Sequence, residues 1–129
     1  LYGVPAAVTM AQIAYESGWG KHVPGGDSFN IFGHKGVGPA GSVKHASWEA
    51  NRSYKQTSSF KKYHNFHEAV MAHGANYKHS GYYTKAMAGV ARGESDARTF
   101  LTRIEGIYHR DGNSYTRAAM SIVNKHNLA

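Results

Sequence analysis

The chain reads as an α+β domain, mainly helical, with a small β lobe inserted after the first helix. Three observations predict this. Residues 1–15, LYGVPAAVTMAQIAY, carry no charge and place Val4, Val8, Ala11 and Tyr15 at helical spacing. Residues 43–63, VKHASWEANRSYKQTSSFKKY, alternate loosely, as a short β-hairpin does. From Asn65 onward the apolar spacing is helical again, almost to the C-terminus. This order gives a helical body with an inserted β lobe, beside a cleft that suits a polymer substrate.

In the first helix, Pro5 suits the first turn. Ala6, Ala7, Met10, Ile13 and Ala14 occupy its other faces, so burial nearly all round is expected. Gly18 and Gly20 supply the stop. Residues 18–42 hold eight glycines and two prolines, a loop too long for a casual connection and therefore expected to be functional. The hairpin is expected to turn near Asn51. Asn65 and Glu68 make a capping-box-like pair for the next helix, with Phe66, Ala69, Val70, His73 and Tyr77 on one face. A short helix is expected around residues 84–92. Ser95 can cap the one after it, where Phe100, Leu101, Ile104 and Ile107 or Tyr108 line up. The last helix runs from about Ser114 to Lys125, with Tyr115, Ala118, Ala119, Ile122 and Val123 inward.

A length of 129 residues suits one compact domain, so residues 1–129 are taken as a single catalytic-sized unit. It starts directly in an apolar segment and reads as a domain cut from a longer product. Fifteen Lys and Arg against eight Asp and Glu leave a net charge of +7, spread along the chain. Such a field favours an anionic partner: nucleic acid, an anionic membrane or an acidic polymer such as a bacterial cell wall. The absence of cysteine excludes disulfides and thiolate metal sites. No run approaches the roughly 18 apolar residues of a membrane span. There is no visible secretory leader, internal repeat or low-complexity segment.

The first charge in the chain is Glu16, in Glu16-Ser17-Gly18-Trp19-Gly20. It stands at the C-terminal end of an apolar helix, beside a tryptophan. Desolvation and the negative end of the helix dipole both disfavour its ionised form. A carboxylic acid kept protonated near neutral pH is what general-acid catalysis needs. The alternative is a solvated carboxylate in a C-cap followed by a packed Trp19. Nine histidines invite a metal reading, and His67-Glu68 followed by His73 looks briefly like a zinc-protease helix. It fails because Met71 stands where the second imidazole is needed to share a face. The histidines are therefore expected to be exposed or capping, with no metal and no cofactor. Basic charge and aromatic content permit nucleic-acid binding, but no recognition motif appears, so that partner is disfavoured.

The run Ala11-Gln12-Ile13-Ala14-Tyr15-Glu16-Ser17-Gly18-Trp19-Gly20-Lys21 is followed by Phe29-Asn30-Ile31-Phe32-Gly33-His34-Lys35-Gly36. Together they resemble the glucosaminidase family of peptidoglycan hydrolases, glycoside hydrolase family 73, with its AQ-x-x-x-ESGWG and NLFG-x-KG runs. Ile31 replaces the usual Leu. Phe60-Lys61-Lys62-Tyr63, Phe66-His67-Glu68-Ala69, and Tyr108 with Asp111, Asn113 and Tyr115 resemble later, weaker family motifs. His109-Arg110 departs from the usual Ala-Thr, and the family's helix before Tyr2 is missing. The resemblance spans about residues 2–123 and implies a lysozyme-like fold.

It also implies hydrolysis of the β-1,4 bond after N-acetylglucosamine in peptidoglycan, with Glu16 as general acid. Glycosidases normally need a second group. Glu49 lies near the family's acidic position in the β lobe; Asp27, Asp111 and the substrate's own N-acetyl group are the alternatives. Tyr108 resembles a tyrosine facing the reacting sugar, or is a core aromatic. Asn30 and Phe32 offer an amide and a ring to the sugar, or cap a turn and pack. Trp19 packs under Glu16 or touches sugar, and Asp111 and Tyr115 complete the expected substrate contacts. The implied partner is the glycan strand, met by a monomer at the bacterial cell wall, whether secreted, periplasmic or phage-borne. A muramidase, a lytic transglycosylase, and a catalytically dead wall- or nucleic-acid-binding module are the competing readings.

Overall fold

The computed structural model describes residues 3–48, 55–109 and 112–128. Helix α1 spans Ala6–Ser17, strands β1 and β2 span Ser42–Trp48 and Lys55–Lys61, and α2 spans Phe66–His79. A short 3-10 turn at Gly81–Tyr83 leads into α3 (Thr84–Ala91), α4 (Ala97–Arg103) and α5 (Asn113–Lys125). The mixed, mainly helical class expected from the sequence is what forms. The chain divides into two compact units: Leu1–Tyr15 with Met71–Ala129, and Glu16–Val70.

The first unit is helical. Its core joins Val4, Val8 and Ala11 to Tyr77, Phe100, Leu101, Ile104, Tyr115, Ala119 and Val123. The expected burial of α1 nearly all round is corrected: Met10 is 41% and Tyr15 39% exposed. The buried face is narrow, and it includes a polar residue. Gln12 is fully buried, donates to the Tyr77 hydroxyl at 2.7 Å and meets His73 Nε2 at 2.7 Å through its Oε1. A buried amide is tolerated there because its polar ends are paired. His73 is accordingly a core residue, 1% exposed, and not one of the exposed or capping histidines expected.

The cap of α4 is also corrected, from Ser95 to Asp96. Asp96 is extended, immediately precedes the first helical residue, and its carboxylate accepts from Thr99 N–H and Oγ1, both at 2.9 Å. The connection from α3 to α4 is clasped by Glu94, which accepts from Arg103 at 2.9 and 3.0 Å and from Arg92 at 3.2 Å. Its carboxylate lies on Gly89, where a side chain would collide with it. In α5, Tyr115, Ala119 and Val123 are buried as expected, and Thr116 joins them. Ile107 is 46% exposed, and it is Tyr108, the alternative, that packs against the core after Ile104.

The second unit holds the glycine-rich loop, the hairpin and the start of α2. Strands β1 and β2 pair antiparallel from Ser42↔Lys61 to Trp48↔Lys55. The turn expected near Asn51 falls in residues 49–54, outside the described residues. The loop covers the other edge of β2: Lys61 N–H donates to the His34 carbonyl at 2.9 Å and Gly36 N–H to the Ser59 carbonyl at 3.0 Å. A two-stranded hairpin alone is marginal, and an added segment on its open edge supports it. Asn65 caps α2, its Oδ1 accepting from Glu68 N–H at 2.8 Å. Glu68 reaches back one residue further than a capping box would, to the backbone N–H of His64 at 2.6 Å and its ring at 3.0 Å. Among the described residues no helix is long and apolar enough to cross a membrane.

Candidate active site

Glu16 is the penultimate residue of α1, and the turn after the helix shapes the site around it. Gly18, Trp19 and Gly20 all adopt left-handed backbone, with φ of 57°, 63° and 85°. Glycine accepts this freely; Trp19 does so at a cost of about 1–2 kcal/mol. Ser17, 2% exposed, holds the turn from both ends of its own residue: its Oγ accepts from Gly20 N–H at 2.9 Å and its carbonyl from His22 N–H at 2.9 Å. The chain thus doubles back, and Lys21, His22, Val23 and Pro24 return to wall a cavity of about 490 Å³. Glu16, Asn30, Gly33, His45 and Phe60 complete its lining, all within the second unit.

Among the described residues Glu16 is the only carboxylate lining this cavity, which it shares with the basic Lys21, His22 and His45. Burial withholds water from the Glu16 carboxyl and pushes its pKa up from 4.5 to about 7. Both protonation states are therefore available near neutral pH, as a proton donor requires. His34 moves the other way. Burial, then the charge of Lys61, lowers it to about 4, so its ring is neutral at pH 7.

Asn30 is 1% exposed, and its amide is spent on the loop. Its Nδ2 donates to the carbonyls of His34 and Lys61 at 2.8 and 2.9 Å, and its Oδ1 accepts from His34 N–H at 3.1 Å. The amide's hydrogen bonds join the loop to β2, as the turn-capping alternative expects, and make Asn30 a positioning residue in the cavity wall. Phe32 is 4% exposed, as the packing alternative expects. Trp19 is 42% exposed. Asp27 is a surface residue, 74% exposed along its side chain and 3.9 Å from Lys62.

In the first unit, Tyr115 is 3% exposed, stacked on His109 at 4.8 Å and met edge-on by Tyr15 at 4.8 Å. It is a core aromatic. Tyr108 is half-buried, stacked on Tyr77 at 6.0 Å and edge-on to His73 at 5.6 Å. Glu49 and Asp111 lie outside the described residues. Lys21, His22, His45 and Phe60 are cavity residues that the sequence reading missed. For two of them the strand register is the reason. Val43 pairs with Phe60, and strand alternation puts His45 on the same face as Val43.

Residues 1–128 match the glucosaminidase family, described as mannosyl-glycoprotein endo-beta-N-acetylglucosaminidase. The chain belongs to the glucosaminidase family. The fold of this glucosaminidase domain is similar to the catalytic domain of the autolysin Auto from Listeria monocytogenes. Their TM-score is 0.78 at 24% identity, over 98% of this chain and 75% of that one. A peptidoglycan hydrolase mutant from Sphingomonas sp. A1 gives 0.74 at 27% identity, over 95% and 81%. The glycoside hydrolase domain of Salmonella typhimurium FlgJ gives 0.71 at 26% identity, over 98% and 77%. No curated protein sequence matches significantly. Among the described residues of this glucosaminidase domain, no three His, Cys, Asp or Glu side chains gather as a metal site would require.

Proposed function

We propose that this domain is a peptidoglycan hydrolase that cleaves the β-1,4 bond after N-acetylglucosamine, with Glu16 as general acid. The observation that carries the reading is a carboxyl with its pKa raised to about 7 in a cavity otherwise lined by neutral and basic groups. Protonating the glycosidic oxygen from Glu16 releases the leaving sugar and leaves an oxocarbenium-like centre. Glu49 then stabilises that charge or activates water, with Asp27, Asp111 or the N-acetyl group of the substrate as alternatives. Tyr108 faces the reacting sugar, and Trp19 supplies an exposed ring for stacking. The Sphingomonas and Salmonella neighbours, hydrolases by name, support a wall glycan as substrate, and the net charge of +7 suits an acidic wall.

Mass spectrometry of fragments released from purified peptidoglycan tests the bond assignment. Reducing-end N-acetylglucosamine is expected. Reducing-end N-acetylmuramic acid would make the enzyme a muramidase, and the anhydro sugar a lytic transglycosylase. The pH dependence gives a separate expectation. The donor form of Glu16 is lost as pH rises through about 7, so turnover of a soluble glycan oligomer should fall toward tenfold per pH unit above that point. A profile flat from pH 6 to 9 would exclude Glu16 as the titrating acid.

A further inference from the structure

A second concavity lies in the helical unit, of about 610 Å³, lined by Arg98, Arg117, Met120, Ser121, Asn124 and Lys125. Helix α5 supplies Arg117, Ser121, Asn124 and Lys125 at offsets of four, seven and eight residues, which share one helix face. The two cations of that face stand eight residues apart, about 12 Å along the axis. Helix α4 adds Arg98 from its first turn. Neither helix contains an Asp or Glu, and among the described residues none lines the groove. Asp96 feels the charge of Arg98, and its carboxylate is held by Thr99 as the α4 cap. Arg117 touches Ser114 at 3.4 Å, a weak neutral contact that leaves its charge in place.

We propose that this groove anchors an extended anionic polymer of the cell wall, through phosphate or carboxylate oxygens, apart from the cavity of Glu16. The proposal rests on the wall-hydrolase reading above and adds to it a site of attachment. Guanidinium forks suit planar or tetrahedral oxyanions, and the spacing of cations along α5 suits a chain of charges rather than one ion. Among the described residues the lining contains no aromatic on which bases could stack, which disfavours single-stranded nucleic acid. The excess charge of the protein thereby gains a place in the fold: the enzyme is held to the wall while the glycan is cut elsewhere.

The experiment measures binding to intact walls across a salt series. The inactive Glu16→Gln protein is compared with the same protein carrying Arg98→Gln, Arg117→Gln and Lys125→Gln. The triple change should weaken wall binding about tenfold at low salt and flatten the slope of log affinity against log salt by about 2. Ser121→Glu, which removes no cation, should act in the same direction. In the active enzyme, the triple change should leave cleavage of a soluble uncharged glycan oligomer unaltered. Walls stripped of phosphodiester polymers, and walls with amidated carboxylates, show which oxygens are held. Equal wall binding by the Glu16→Gln protein with and without the triple change would overturn the proposal. Tighter groove-dependent binding of duplex DNA than of walls would overturn it too. If the wild-type enzyme fails to cleave any wall glycan, the hydrolase reading fails instead, whatever the groove binds.

Discussion

Replacing Glu16 by Gln should reduce wall hydrolysis by about 10²–10⁴-fold, the usual contribution of a general acid. Gln keeps the shape and a polar end but has no proton of suitable acidity to transfer. The same change should raise stability at alkaline pH. Glu16 has a pKa of about 7 when folded against 4.5 in the open chain, so between those values the unfolded state binds fewer protons than the native one. Stability conferred by the protonated form is complete below about pH 4.5 and is lost as pH rises through about 7. The loss amounts to at most about 3 kcal/mol, and Gln, which does not titrate, escapes it. Thermal melts at pH 5 and pH 9 beside turnover on purified peptidoglycan check both halves. Loss of activity with a melting temperature that rises at pH 9 is the expected pair. A folded variant keeping more than about a tenth of the wild-type rate would remove Glu16 from its role.

The acid is legible in the sequence because its signal is local. A charge-free helix ending in one carboxylate spans few residues, and both helix ends and glycine turns are written within a few neighbouring positions. The same holds for the order of elements: α1, the hairpin strands, α2 and α5 all follow from short-range periodicity and caps. The illegible features depend on contacts distant in sequence. Gln12 looks like an ordinary helix residue, yet it is buried because His73 and Tyr77, 61 and 65 residues away, complete its hydrogen bonds. The motif around Tyr115 suggests a substrate contact, but His109 and Tyr15 enclose that ring. His45 enters the cavity through the strand register, which periodicity alone leaves open.

Asn30 shows how a residue in a site-like motif can act through the backbone. Asn30→Ala should lower stability by about 2–4 kcal/mol, since it orphans the His34 N–H and the Lys61 carbonyl while leaving a small void. The His34 carbonyl keeps its bond from Lys61 N–H, so the loop is loosened rather than detached. A loss of that size should reduce the melting temperature by roughly 10 °C in a domain of this length. Catalytic efficiency should fall as well, even well below the melting point, because residues 30–34 contribute Asn30 and Gly33 to the wall around Glu16. Asn30→Asp should be no better. It retains an acceptor for His34 N–H but turns the donor toward two carbonyl oxygens into a third oxygen, and burial of the resulting carboxylate opposes its ionisation. The contrasting case is an amide that serves sugar hydroxyls alone: Asn30→Ala would then raise KM and leave the melting curve in place. Calorimetry together with a KM-against-kcat comparison on one soluble oligomer separates the two roles, and an unchanged melting temperature would overturn the assignment of Asn30 to the loop.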